Sequence, residues 1–175
     1  MQKRIAVLGS TGMAGHVVSL YLEELGYEVF RASSSEKNTG RSVAMNAENF
    51  TLLSRWLDFI RPDIIINCIG LLQAACETSP PKAILLNSYL PRWLEGKYLD
   101  QRTRIIHIST DCVFSGERGS YRETDLPDGR TMYDRSKAMG EIDNKKDLTF
   151  RMSIIGPDMK PNGTGLFNWF MLQTG

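Results

Sequence analysis

Histidine is scarce, cysteine is few and unpaired, and neither charge nor hydrophobicity runs long in this chain of 175 residues. Its two histidines, His16 and His107, stand too far apart in sequence to suggest a metal site. Cys68, Cys76 and Cys112 are an odd number without Cys-x-x-Cys spacing, which argues against a disulfide framework and predicts the buried, reduced thiols of a cytoplasmic protein. No apolar stretch reaches the ~18 residues of a membrane span, and Gln2-Lys-Arg4 leads straight into an apolar run without signal-peptide anatomy. The formal net charge is +1 with no basic or acidic block, so the charge pattern supports binding neither to nucleic acid nor to a membrane surface. What remains is 42% hydrophobic and 23% charged, enough for one ordinary domain with a core.

The informative stretch is Ile5-Ala-Val-Leu-Gly-Ser-Thr-Gly-Met-Ala-Gly15. Four apolar residues are followed by Gly9, Gly12 and Gly15, then by a helical pattern through Val17, Val18, Leu20, Tyr21, Leu22 and Leu25. A buried strand, a glycine turn and a helix open a dinucleotide-binding unit. The first glycine lets the chain turn, the second admits a pyrophosphate against bare backbone, and the third lets helix and strand pack closely. The spacing is Gly-x-x-Gly-x-x-Gly rather than the commoner Gly-x-Gly-x-x-Gly, and a tight turn alone is the competing explanation.

The first helix is expected to end near Gly26. A second strand, Tyr27 to Arg31, ends in an arginine where an NAD-preferring motif carries an acid about 20 residues past the glycines. No carboxylate follows until Glu36, so Arg31 and the serines at 33–35 favour NADPH over NADH. Val43–Met45 reads as a short edge strand. Asn49 or Thr51 caps a helix through Ile60 that Pro62 stops. Asp63–Asn67 is a third strand, with Cys68-Ile-Gly70 leaving its carboxyl end, where ligands bind in doubly wound sheets. Pro80 and Pro81 open a helix through Trp93, bent at Pro91, with Asn87 its odd polar residue. Arg104–Ser109 is strand four, residues 115–131 a polar loop, Ser136–Ile142 a helix with Tyr133 at its start, and Leu148–Ile155 strand five. Pro157–Gly165 is a further loop and Leu166–Leu172 the beginning of a helix. The alternation predicts an α/β fold with a mainly parallel, doubly wound, Rossmann-type sheet spanning residues 1–175.

Tyr133-Asp-Arg-Ser-Lys137 places a phenol and an ammonium one helical turn apart on one face. A nearby cation favours phenolate and draws the tyrosine pKa down from about 10, which suits Tyr133 to give a proton to a carbonyl oxygen receiving a hydride. Ser109-Thr110, at the end of a strand, offers hydroxyls to hold that carbonyl. Taken alone, a tyrosine and a lysine at this spacing are most often a surface pair.

Together these segments resemble the short-chain dehydrogenase/reductase family in its extended, sugar-nucleotide branch. The pieces stand in the family's order: Gly9 to Gly15, Pro62 to Asn67, Asn87, Ser109-Thr-Asp-Cys-Val-Phe114, Tyr133-Asp-Arg-Ser-Lys-Ala-Met-Gly-Glu141 and Arg151-Met-Ser153. Within the branch the closest likeness is to dTDP-4-dehydrorhamnose reductases, which carry Ser-Thr-Asp-Tyr-Val-Phe. The resemblance implies roles. Gly9, Thr11, Gly12, Met13 and Ala14 would form the turn on the cofactor pyrophosphate. Asn46 and Ala47 would lie near the adenine, and Cys68, Ile69 and Gly70 along the adenosine side. Thr110, with Asp111 beside it, would bind the substrate carbonyl. Tyr133 would donate the proton, Lys137 would bond the nicotinamide ribose and tune Tyr133, and Asn87 would hold the geometry.

Three positions depart from the pattern: Cys112 for an aromatic residue, Ile154 for a tryptophan, and Asn46 for an aspartate. The first two bear on which sugar is bound. Extended members continue for another hundred or so residues that form a substrate domain. Here the chain reaches Gly175 just after Leu166, Phe167, Trp169, Phe170, Met171 and Leu172. Two readings follow for that apolar run: a fragment of a longer reductase lacking its C-terminal substrate domain, or a short protein that covers the patch in a homodimer. The functional expectation is an NADPH-dependent reductase acting on a nucleotide-linked 4-keto-6-deoxy sugar. The alternatives are a nucleotide-sugar 4-epimerase, which uses the same Tyr and Lys, and a non-catalytic NADP(H)-binding regulatory protein. A 4,6-dehydratase is disfavoured, because Asp111 is followed by Cys112 where dehydratases carry glutamate.

Overall fold

Short apolar runs become parallel strands and the amphipathic stretches between them become helices in the computed structural model, which describes residues 2–157 and 165–173. The expected loop at 157–165 falls mostly outside those residues. The chain divides into two compact units, Met1–Asp63 with Ser153–Gly175, and Ile64–Met152.

In the first unit, strands β1 (Arg4–Leu8), β2 (Glu28–Ser33) and β3 (Ser42–Ala44) pair in parallel in the order β3-β2-β1, with Ile5 opposite Val29 and Ala32 opposite Val43. The run Ile5–Leu8 is fully buried, as a strand covered on both faces requires. Helix α1 (Met13–Glu24) returns the chain from β1 to β2. It turns Gly15 and Ser19 inward, while Val17, Leu20, Tyr21 and Leu25 stay exposed. The small residues permit a close approach: a Cβ on Gly15 would lie 2.1 Å from the Gly9 carbonyl oxygen. The helix ends as the sequence predicts. Gly26 is left-handed at φ +83°, its N–H reaches the Glu23 carbonyl and that of Tyr27 the Leu22 carbonyl, the paired bonds of a Schellman cap. Helix α2 (Phe50–Ile60) begins at Asn49, not Thr51: the Asn49 side chain accepts the Leu52 N–H at 3.0 Å. Leu53, Leu57 and Ile60 bury its inner face.

In the second unit, β4 (Ile64–Asn67), β5 (Arg104–Ser109) and β6 (Leu148–Arg151) are again parallel, in the order β4-β5-β6. Between β4 and β5 lie α3 (Gln73–Thr78), α4 (Pro80–Ala83), a π-helix (Ile84–Tyr89) and α5 (Leu90–Tyr98). After β5 come a 3-10 turn (Asp111–Val113) and α6 (Met132–Gly140). A last helix, α7 (Leu166–Met171), belongs to the first unit, and its Trp169, Phe170 and Met171 are exposed as expected.

Two strand ends are corrected, and two helical features add to the sequence expectations. The long helix after Pro80 contains a π-helix, Ile84–Tyr89, immediately before the turn of α5 that holds Pro91. Helix α3 is present although no capping residue marks it. Strand β2 continues to Ser33, so Arg31 lies within the strand instead of ending it. Strand β6 ends at Arg151, short of Ile155.

Two glycine substitutions separate close approach from backbone entropy. Gly15→Ala is expected to lower the unfolding free energy by about 1–3 kcal/mol, because backbone must move. Gly96→Ala, in α5 with open space at its Cβ, is expected to raise it by about 0.4–1 kcal/mol. Urea unfolding curves of the two variants check both signs.

Candidate functional site

In the first unit the glycine turn leaves a helix terminus open. Gly9, at φ +79°, directs the chain off β1, and its N–H donates to the Ala32 carbonyl at 2.7 Å. The Gly12 N–H donates back to the Gly9 carbonyl at 3.0 Å. Gly12 is the N-cap of α1, and no side chain among the described residues caps it; no acid sits in the first turn. The backbone N–H groups at Met13 and Ala14 are therefore available to an anion at the positive end of a twelve-residue helix.

The neighbouring hydroxyls and charges are organised around this turn. Thr11 Oγ1 lies 2.8 Å from Ser33 Oγ and 3.2 Å from Ser35 Oγ. The Ser10 hydroxyl donates to Glu36 at 2.6 Å, so the first carboxylate after β2 is turned to the turn itself. Arg31 pairs with Glu23 on α1, and its Nε is buried without a hydrogen-bond partner among the described residues. Arg31, Ser35, Lys37 and Arg41 line one surface pocket together with Glu23 and Glu36. Asn46 is exposed, its side chain accepting the Glu48 N–H at 3.0 Å, and Ala47 is half-buried beside it.

The second unit holds the four expected chemical residues, and all of them are buried. Thr110 follows β5 and caps the 3-10 turn, accepting the Cys112 N–H at 3.2 Å. Tyr133 and Lys137 lie on α6, whose start is fixed by a capping box between Thr131 and Asp134. The Lys137 Nζ donates to the Ile108 carbonyl at 2.7 Å. Asn87 sits in the π-helix. Its Oδ1 accepts the Leu71 N–H at 2.7 Å, and its amide donates to the Leu71 carbonyl and to Ser136 Oγ, each at 3.0 Å. It is thus not solvated: it pins the segment after β4 to α6. A Cβ on Gly140 would fall 1.9 Å from the Asn87 carbonyl oxygen, so α6 can approach the π-helix only with glycine there.

Cys68, Ile69 and Gly70 leave the carboxyl end of β4 as expected. The Asn67 side chain accepts the Ile69 N–H at 3.2 Å, and a Cβ on Gly70 would lie 3.6 Å from Asn87 Oδ1 and 3.9 Å from Lys137 Nζ. Asp111 is exposed next to Thr110. Cys112 packs against the small cluster of Cys76, Ala83 and Tyr133.

Burial dominates the electrostatics. It lowers the Lys137 ammonium from the usual lysine value to about 8, partly offset by Glu141. It raises Tyr133 above the usual tyrosine value, with a hydrogen bond from Thr110 working the other way. This corrects the expectation that Lys137 draws Tyr133 toward neutrality: here the ammonium is engaged by the Ile108 carbonyl. Burial also pushes the Cys68 thiol up to about 12 and holds His107 well below its ordinary value, aided by the Lys137 and Arg92 cations. Sequence reasoning missed Glu23, Glu36, Ser136 and Glu141. Only Ser136 and Glu141 carried a signal, through their spacing from Tyr133 and Lys137.

The family described as RmlD substrate binding domain matches residues 3–156. A curated relative, the probable low-salt glycan biosynthesis reductase Agl14 of Haloferax volcanii, is 35% identical over 85% of this chain and 52% of its own length. The chain thus spans about half the length of that relative. The crystal structure of a hypothetical dTDP-4-dehydrorhamnose reductase from Sulfolobus tokodaii superposes with a TM-score of 0.78 at 31% identity, over 85% of this chain and 55% of that one. The dTDP-4-dehydrorhamnose reductase of Bacillus anthracis, solved in complex with NADP, gives 0.69 at 24% identity over 80% and 48%. These superpositions are the doubly wound α/β arrangement read from the sequence. No helix among the described residues is long and apolar enough to cross a membrane.

The neutral, buried His107 generates a pH prediction. The unfolded chain takes up a proton near pH 6.5, whereas the folded chain resists until well below that. Unfolding therefore binds a proton in this window, and stability falls as pH drops below about 6.5. His107→Gln, which does not titrate and keeps an acceptor for Asn67, is expected to flatten the loss between pH 7 and 5 in urea midpoints.

Proposed function

Because this chain belongs to the extended short-chain dehydrogenase/reductase family through its RmlD substrate binding domain, we propose that it is an NADPH-dependent reductase of a nucleotide-linked 4-keto-6-deoxy sugar. The observation that supports the reading is that Thr110, Tyr133, Lys137 and Asn87 are all buried in the second unit, Thr110 just after β5, Lys137 hydrogen-bonded to the Ile108 carbonyl of β5, and Asn87 to Ser136 on the helix that carries Tyr133 and Lys137. A regulatory protein has no chemical need of that set.

The residues of the first unit fit a dinucleotide. Gly9, Thr11, Gly12, Met13 and Ala14 would hold the pyrophosphate on uncapped backbone N–H groups. Arg31, whose Nε is an orphaned buried donor, would pair with a 2′-phosphate, with Thr11, Ser33 and Ser35 supplying hydroxyls. Asn46 and Ala47 would border the adenine. For Cys68, Ile69 and Gly70 the role proposed is along the adenosine side of the cofactor. NADPH, when bound, supplies the hydride.

The chain's own residues do the rest. The Thr110 hydroxyl hydrogen-bonds the substrate carbonyl oxygen and orients it, with Asp111 beside it. The Tyr133 O–H gives its proton to that oxygen as negative charge develops there. The raised pKa of Tyr133 keeps the proton on the phenol at neutral pH, as a donor requires. Lys137 stands one turn away as the cation that stabilises the resulting phenolate, and burial gives both charges more weight than water would. Asn87 keeps the segment at Gly70 and Leu71 in register with α6.

Fluorescence titration with NADPH and NADH is the first test. Saturable binding with NADPH at least tenfold tighter is the expected result, and Arg31→Ala is expected to erase most of that ratio. No binding of either nucleotide would overturn the cofactor assignment. For catalysis, Tyr133→Phe is expected to keep NADPH binding and lose turnover by about 10²–10⁴-fold; an unchanged rate would remove Tyr133 from the mechanism.

A further inference from the structure

Glu141 is a buried carboxylate that the chemistry above does not use. It is the C-cap of α6, four residues after Lys137, and only 8% exposed. Arg151 on β6 holds it in a two-point grip: Nε donates to Oε1 at 2.9 Å and a terminal nitrogen to Oε2 at 2.8 Å. The Ser109 hydroxyl donates to the same Oε1 at 2.8 Å. Arg151 is anchored in turn, its guanidinium 4.9 Å from the Phe114 ring centre and donating to the Glu123 carbonyl at 3.2 Å.

The pattern along β5 gives the cluster its meaning. Lys137 bonds the carbonyl of Ile108, and Glu141, one helical turn on, bonds the side chain of Ser109. Two successive residues of β5 are therefore gripped by two successive turns of α6. The next residue is Thr110. We propose that Glu141 is a positioning residue: clamped by Arg151 and Ser109, it locks the end of β5 to α6, so that Thr110 is held in place for Tyr133, and it supplies the anion that keeps buried Lys137 charged. The catalytic consequence rests on the reductase reading; the clamp and its charge do not.

The charges around Lys137 support the electrostatic half. Besides Glu141, the titratable groups that act on it are Cys68 after β4, Cys76 on α3 and His107 on β5; Tyr133 lies one turn before it on the same helix, and Arg92 on α5 acts on His107. Both thiols and the phenol sit above their ordinary values, and His107 well below its own. All four are neutral at pH 7. Glu141 is then the one anion offsetting the burial of Lys137 among these groups.

The test is a titration of Lys137 in the 175-residue chain carrying ¹³Cε-lysine, its resonance assigned with Lys137→Met. The wild-type midpoint is expected at about 8. In Glu141→Gln it is expected to fall by about one unit, a tenfold change in the ionisation constant, and Glu141→Asp is expected to restore most of it. Glu141→Gln leaves the Arg151 guanidinium without its carboxylate, so the double variant Glu141→Gln/Arg151→Met, which removes both charges, is titrated alongside. An unchanged Lys137 midpoint in folded Glu141→Gln overturns the proposal, and the double variant reports how much of the shift comes from the Arg151 cation left unpaired. With a nucleotide-linked 4-keto sugar, kcat of Glu141→Gln is expected to drop at least tenfold while KM for NADPH moves less than twofold. The lysine titration decides the role of Glu141 whether or not the chain turns the sugar over, so failure of the reductase reading and failure of the clamp are read separately.

Discussion

The second unit depends on one buried amide. Asn87 has no contact with solvent, yet its side chain satisfies both backbone groups of Leu71 and reaches Ser136 on α6. It thereby does for an irregular segment what a neighbouring strand does for a regular one: it supplies an acceptor and a donor at the spacing of a peptide group. Without it, the N–H of Leu71 would lose its partner, at a cost of about 1–3 kcal/mol, and the carbonyl would keep only the Cys76 thiol. The π-helix is the backbone adjustment that carries Asn87, and Gly140 is the adjustment on α6 that makes room for it. A wide helical turn, a missing Cβ and a buried amide are three parts of one solution.

That solution explains why ionisable groups can be buried here. Tyr133, Ser136, Lys137 and Gly140 all lie inward on α6, and the helix sits close enough to β5 for Lys137 to find the Ile108 carbonyl. A lysine 4% exposed would give up its proton in an apolar site; here it keeps it to about pH 8. Tyr133 and Cys68 are shifted upward and His107 downward by the same loss of water. The site thus starts from neutral groups with a single well-anchored cation, an arrangement suited to moving one proton toward a developing negative charge.

Much of this was legible in the sequence, for identifiable reasons. Strands of a parallel sheet are buried on both faces, so Ile5–Leu8 and Ile64–Ile66 read as unbroken apolar runs. Gly26, Asn49 and Pro62 mark helix ends through local chemistry. The facing of Tyr133 and Lys137 follows from a four-residue spacing. The π-helix was not legible, because a single widened turn does not disturb a 3.6-residue pattern. The burial of Asn87 follows from contacts with residues 16 and 49 positions away, and the pairing of Arg31 with Glu23 from a strand folding back beside the helix before it. The direction of the Tyr133 shift was misread because sequence gives proximity to a cation but not the burial that outweighs it.

The same contrast separates the buried residues of the second unit from the positions that depart from the family pattern. Thr110, Lys137 and Asn87 are each held by hydrogen bonds to backbone, so their placement is tied to the fold's stability. The residues that depart from the family pattern lie elsewhere: Ile154 is 40% exposed beyond β6, and Cys112 is half-buried at the start of the loop after β5. Beyond Cys112 that loop is held by a stack of Arg151, Phe114, Tyr121 and Arg118, with Phe114 and Tyr121 ring centres 4.4 Å apart. Such a stack fixes the loop's base while leaving its polar rim free to change. The buried bonds of α6 and β5 therefore fix the positions of these residues, and the side chains of Ile154 and Cys112 take no part in those bonds.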